Sequence, residues 1–87
     1  MNHLHSEVVA GANDIIQVSL DGQANVLLLD SNDYRNYCAG RQYSYRGGLA
    51  KRSPVNLVPP HHGTWHVVVD LGGYGGTVRA SVRVINN

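Results

Sequence analysis

Gly63-Thr64-Trp65-His66-Val67-Val68-Val69-Asp70-Leu71 is the stretch that decides the fold. Its β-branched and aromatic residues suit a pleated strand over Thr64 to Leu71. Alternation puts Trp65, Val67, Val69 and Leu71 on one face, which is expected to meet the core. Downstream, Val78, Ala80, Val82 and Val84 alternate with Thr77, Arg79, Ser81 and Arg83, which predicts a strand over Thr77 to Ile85 with one wet face. The glycine-rich run from Gly72 to Gly76 between them reads as a hairpin loop. A phosphate-binding loop would need a helix after it, whose amides and dipole hold the anion; here a strand follows.

The same reading extends upstream. Leu4 to Val9 is a first strand, and Ala10-Gly11-Ala12-Asn13 a turn. Asp14 to Leu20 follows, with Ile16, Val18 and Leu20 on one face. Asp21-Gly22 predicts a tight hairpin into Ala24 to Leu29. In that partner strand, Val26-Leu27-Leu28-Leu29 predicts burial on both faces and a central place. Asp30 to Gly40 breaks the pattern. Ser31 or Asn32 as a cap, Tyr34, Tyr37 and Cys38 at helical spacing, and Gly40 as a stop predict one short helical turn near 31–39. Tyr43 to Arg46 and Leu49 to Arg52 read as two short strands about Gly47-Gly48. Val55 to Val58 reads as another, ended by Pro59-Pro60. The expected class is all-β: a compact, jelly-roll-like β-sandwich or barrel of about 7–8 short strands.

Composition narrows the function. The 87 residues suit one domain, and 43% hydrophobic content is that of a folded chain. A formal net charge of +1 selects no class of partner, and sequence-specific nucleic-acid binding is not expected from so small a basic excess. Cys38 is the only cysteine, so no internal disulfide can form; it reads as a packed, structural thiol in a reducing compartment. No N-terminal stretch has the basic-then-apolar form of a leader, and the apolar runs are too short to cross a bilayer. A soluble, cytoplasmic protein without a membrane partner is the expectation.

Catalytic groups are scarce. The carboxylates are Glu7, Asp14, Asp21, Asp30, Asp33 and Asp70, and the close pair Asp30 and Asp33 reads as capping and turn residues. Nothing local gives Cys38 a base, so neither an enzyme nor a cofactor is expected. His3 and His5 would share a strand face, and with His61, His62 or His66 could approach zinc if the first strand lay beside the Thr64 strand. With no cysteine pair or carboxylate at ligand spacing, they read instead as edge and turn histidines, and no metal is expected.

Charge is segregated along the chain. From Tyr34 through Val69 there is no Asp or Glu, while Arg35, Arg41, Arg46, Lys51 and Arg52 interleave with Tyr34, Tyr37, Tyr43 and Tyr45. Guanidinium forks grip phosphate or carboxylate, and phenol rings stack on bases or sugars. Arg41, Tyr43, Tyr45, Arg46, Lys51 and Arg52 are therefore the candidate ligand-binding residues, for an anionic small molecule, a nucleotide or a partner. Arg79 and Arg83 would extend that patch. Alternatives are a protein-interaction or assembly domain, as monomer or homodimer, and a carbohydrate-binding module. Trp65 is expected in the core, which denies the latter its usual aromatic platform.

Three stretches also carry a resemblance: Asn25 to Tyr34, then Tyr45-Arg46-Gly47-Gly48 with Arg52-Ser53-Pro54, then Gly63 to Tyr74 running on to Val78-Arg79-Ala80-Ser81-Val82-Arg83. Together they resemble a bacterial family of small all-β domains of unknown function. Its members stand alone or precede a Toll/interleukin-receptor-type signalling domain. The resemblance implies a signalling protein as a partner and assigns no activity or functional residue. A pattern-level similarity to jelly-roll-type accessory sandwiches bears on the fold alone.

Overall fold

The structure, a computed structural model, describes residues 3–72 and 76–86. Seven strands and one helix follow in order: β1 (Leu4–Ala10), β2 (Asp14–Leu20), β3 (Ala24–Asp30), α1 (Ser31–Cys38), β4 (Arg46–Ala50), β5 (Val55–Leu57), β6 (Gly63–Asp70) and β7 (Ala80–Asn86). They form two antiparallel sheets, β1-β6-β3-β4 and β5-β2-β7. The expected all-β sandwich is the architecture found.

Between the sheets lie Ile16 and Val18 of β2, Val26 and Leu28 of β3, and Trp65, Val67 and Val69 of β6. Val82 and Val84 of β7 close this core from below. Trp65 is buried as expected, and its indole nitrogen donates to the His61 carbonyl at 3.1 Å. β3 and β6 are the two inner strands of the larger sheet, as the apolar run 26–29 predicts.

Several expectations change. Asp21-Gly22 is not a hairpin, because β2 and β3 belong to different sheets. Gly22 does not adopt the positive φ that a tight hairpin turn requires. Asp21 instead anchors the approach to β7: its carboxylate accepts from the Arg79 amide at 2.7 Å, and its own amide donates to the Arg79 carbonyl at 3.1 Å. The run 72–76 likewise joins different sheets, and its residues 73–75 lie outside the described residues. β7 begins at Ala80 rather than Thr77.

Tyr43 to Arg46 and Leu49 to Arg52 are not two strands. One strand, β4, runs through both glycines, and Tyr43 lies in the loop before it. Gly47 makes this possible at φ 107°, where a Cβ would run into the Val26 carbonyl of β3. The helical segment is an α-helix, but its cap is Asp30, not Ser31 or Asn32: the Asp30 carboxylate accepts from the Asp33 amide at 2.7 Å. Gly40 ends it as expected, at φ 73°, with Gly40 donating to the Tyr37 carbonyl and Arg41 to that of Asn36.

Trp65→Ala removes the largest side chain of the inter-sheet core. The expected cost is about 3–5 kcal/mol, read from the urea midpoint, with Trp65→Phe losing much less.

Candidate ligand cleft and its histidine–tyrosine support

The outer face of the larger sheet is set by the residues that alternate with the core. They are His66, Val68 and Asp70 of β6, Asn25, Leu27 and Leu29 of β3, and His5 and Glu7 of β1. Helix α1 lies across this face. Tyr34 and Tyr37 fall one turn apart and meet the sheet together. Leu27, Leu29, Val68 and Tyr37 form a second buried cluster, flanked by Tyr34 and Tyr43.

Two polar groups are built into this layer. Asp70 is buried, and its carboxylate accepts from the Tyr37 hydroxyl at 2.8 Å, the Asn25 amide nitrogen at 3.0 Å and the Gly72 backbone amide at 2.9 Å. Burial would raise its pKa, but the three donors outweigh burial and hold it below the usual carboxylate range. The Tyr37 phenol is pushed up, first by burial and then by its bond to Asp70.

His66 is the second group. Its Nε2 lies 2.9 Å from Ser31 Oγ and its Nδ1 2.8 Å from His5 Nε2, while Glu7 Oε1 stands 3.8 Å from Nε2. Tyr34 stacks over both imidazoles, with ring centroids 4.1 Å from His5 and 4.7 Å from His66. The Tyr34 ring strips water from one face of His5. Burial, then the neighbouring His66 and His3, hold His5 below the ordinary imidazole pKa, against the opposing pull of Glu7. The Tyr34 hydroxyl bonds to the Cys38 side chain and lies 3.2 Å from His3 Nε2; its pKa is pushed up to about 12, chiefly by the Cys38 bond. Cys38 itself is exposed, not packed.

Ser31, His66 and His5 have the connectivity of a nucleophile, a base and its orienting group. Tyr34 covers one face of the two imidazoles, and four clefts among the described residues are lined by other groups. The chain of bonds ties the first turn of α1 to β6 and β1. β1 does lie beside β6 and brings His5 to His66, yet among the described residues no three His, Cys, Asp or Glu side chains converge as metal ligands.

Beside the helix, the same face opens into a cleft of about 360 Å³. Tyr37, Tyr43 and Tyr45 wall it, Leu27 and Leu49 supply apolar surface, and Asn25 and Asp70 supply the polar groups. Tyr43 packs edge-on against Tyr37 at 5.2 Å, and Tyr45 leans on Tyr43 at 5.8 Å. Tyr45 and Leu49 are 52% and 57% exposed, so the cleft is lined by apolar surface that the fold leaves open.

The residues singled out in the sequence are divided by this geometry. Tyr43 and Tyr45 line the cleft. Arg46 pairs with Leu28, a core residue, so alternation turns it to the other side of β4. There it shares a second cleft, of about 380 Å³, with Asp30 and Asp33. Arg41 is exposed and donates to the Asn36 side chain at 3.1 Å. Lys51 and Arg52 lie past the far end of β4, about 16 Å along the strand from Arg46. Arg83 lies in the other sheet and donates to Gln17 at 2.8 Å, and Arg79 precedes that strand, so neither extends the patch. The acid-free stretch of sequence is not acid-free in space: Asp30, Asp33 and Asp70 border it. Tyr37, one of the interleaved tyrosines, and Asn25, Asp70 and Leu49 line the cleft but are not among the candidate ligand-binding residues of the sequence. The available signal was polar His66 and Asp70 flanking Val68 in a strand that otherwise reads as core.

A family described as a domain of unknown function, DUF1883, has a model that matches residues 1–87. The chain belongs to that family. No curated protein and no solved structure matches it. In this DUF1883 chain, the geometry above therefore carries the functional reading.

Two outcomes follow from the helix–sheet layer. The fold favours neutral His5, so that contribution is present above the ordinary imidazole pKa of about 6.5 and is lost as pH falls below it. The urea midpoint should drop between about pH 7.5 and about pH 5.5, and His5→Gln should flatten the drop. Tyr37→Phe deletes one donor to a buried carboxylate and should cost about 1–3 kcal/mol in the same unfolding measurement.

Proposed function

We propose that the domain is a non-catalytic binding module whose ligand is an uncharged, hydroxylated ring held in the tyrosine cleft. The carrying observation is the composition of the cleft wall: three tyrosines and two leucines beside the Asn25–Asp70 pair, with no cationic side chain among the lining residues described. Small-molecule sites are concave and mostly apolar, with a few polar groups that fix orientation. A ring with an apolar face can lie on the tyrosines while its hydroxyls reach the carboxylate and amide edge. The volume, about 360 Å³, is at the small end for such sites and suits one ring rather than a chain of them.

An anionic ligand, expected from the Arg/Tyr interleaving, would instead engage Arg46 in the second cleft, where Asp30 and Asp33 oppose its charge. That opposition supports the neutral ligand. The resemblance to domains that stand ahead of signalling domains supports a sensing role for the module, in a cytoplasmic setting.

The test is an amide NMR titration with simple sugars, nucleosides, nucleotides and inorganic phosphate. Saturable shifts at Asn25, Gly48, Leu49 and Gly72 with an uncharged hydroxylated ring, lost in Tyr45→Ala, are the expected result. Tyr45 is exposed, so that variant should keep its stability within about 0.5 kcal/mol. Shifts confined to phosphate-bearing compounds at Arg41, Arg46, Lys51 and Arg52 would overturn it, as would no shifts at all.

A further inference from the structure

The sandwich has four strand edges: β1 and β4 in one sheet, β5 and β7 in the other. Natural sheets blunt their edges with short strands, bends or charge. β5 is only three residues long and is flanked by Pro54 and Pro59. β4 is bent at Gly47 and Gly48, at φ 107° and 144°, and runs into Lys51 and Arg52. β7 carries Arg83 at its middle. β1 is the least protected of the four, its only charged side chain being Glu7. It is seven residues long, pairs with β6 along its whole length without a bulge, and contains no Pro, Lys or Arg. It also leaves Leu4 45% and Val9 62% exposed.

We propose that the domain self-associates through β1, a second copy adding its own β1 antiparallel about a two-fold axis at Ser6. β1 is self-complementary about that axis. In that register Leu4 faces Val8 of the second copy, and His5 faces Glu7, each pair occurring twice. His5 and Glu7 lie on the outer face, so each imidazole meets a carboxylate across the new ladder. Neighbouring registers are poorer: a shift of the axis to Glu7 puts Glu7 opposite Glu7, and a shift to His5 puts Leu4 opposite Ser6 and loses the apolar Leu4–Val8 pair. Like charges directly opposed destabilise a strand pair and apolar pairs stabilise it, so the two-fold at Ser6 is selected. The Glu7 side chain is 63% exposed, which leaves it accessible to a partner beyond its 3.8 Å contact with His66.

The joined sheet would have eight strands, with both helices on the same face. Each α1 lies over β3 and β6, so the helix axes stand about 14 Å or more apart. That exceeds the helix diameter of about 10 Å.

Sedimentation equilibrium from micromolar to millimolar concentration tests this. The expected result is a mass rising to that of two chains. Glu7→Lys should weaken association about tenfold through its two symmetric pairs, and His5→Glu combined with Glu7→His should restore it. A monomer at every concentration would overturn the proposal, as would a Glu7→Lys variant that associates like the parent. Amide exchange gives a second reading independent of these variants. β1 amides should gain protection with concentration while those of β4 do not; β1 protection unchanged on dilution would sink the idea.

Discussion

The structure depends on β3 and β6 being buried on both faces. Each lies inside the larger sheet, and each presents one set of side chains to the inter-sheet core and the other to α1. In a domain of 87 residues a single core is modest, and the second, smaller cluster under the helix adds to it. An eight-residue helix is not stable by itself in water, so α1 exists because Leu27, Leu29 and Val68 receive Tyr37.

That same layer explains where polar groups are tolerated. His66 and Asp70 are buried in a strand of valines, and each is accommodated by partners on other elements: Ser31 and His5 for the imidazole, Tyr37, Asn25 and Gly72 for the carboxylate. Buried polar groups so satisfied fix orientation, because no alternative packing supplies the same partners. The cleft inherits this order. Tyr37 and Asp70 are held from behind, and only Tyr43, Tyr45 and Leu49 present adjustable surface.

Most of the strands were legible because their signal is local. Alternation in β2 and β7, and the doubly apolar run 26–29, report burial directly. Destination was not legible. Asp21-Gly22 has the composition of a hairpin, yet Leu20 and Ala24 enter different sheets, since pairing partners are chosen by the whole core rather than by the turn. Asp30 displaced Ser31 as the cap, which leaves Ser31 to reach His66, a contact that depends on residues 35 apart. The site was half legible: Tyr43 and Tyr45 were visible as aromatics in a basic stretch. Asn25 and Asp70 come from β3 and β6, and only sheet register brings them together. Arg46 and Lys51 look adjacent in the sequence, but an extended strand separates them end to end.

The alternation of the chain between sheets has a kinetic consequence. Apart from β3 to β4, every strand is followed by one in the other sheet, so the chain forms almost no local hairpins. β1 precedes the other six described strands, and its partner β6 follows only at residues 63–70. Until then Leu4 to Ala10 has no intramolecular ladder to join. Closing so long a loop must precede any reward from pairing, which places this small domain among slow folders for its length. Until β6 is available this strand is unpaired, so the stretch from Leu4 to Ala10 is where a chaperone would be needed most.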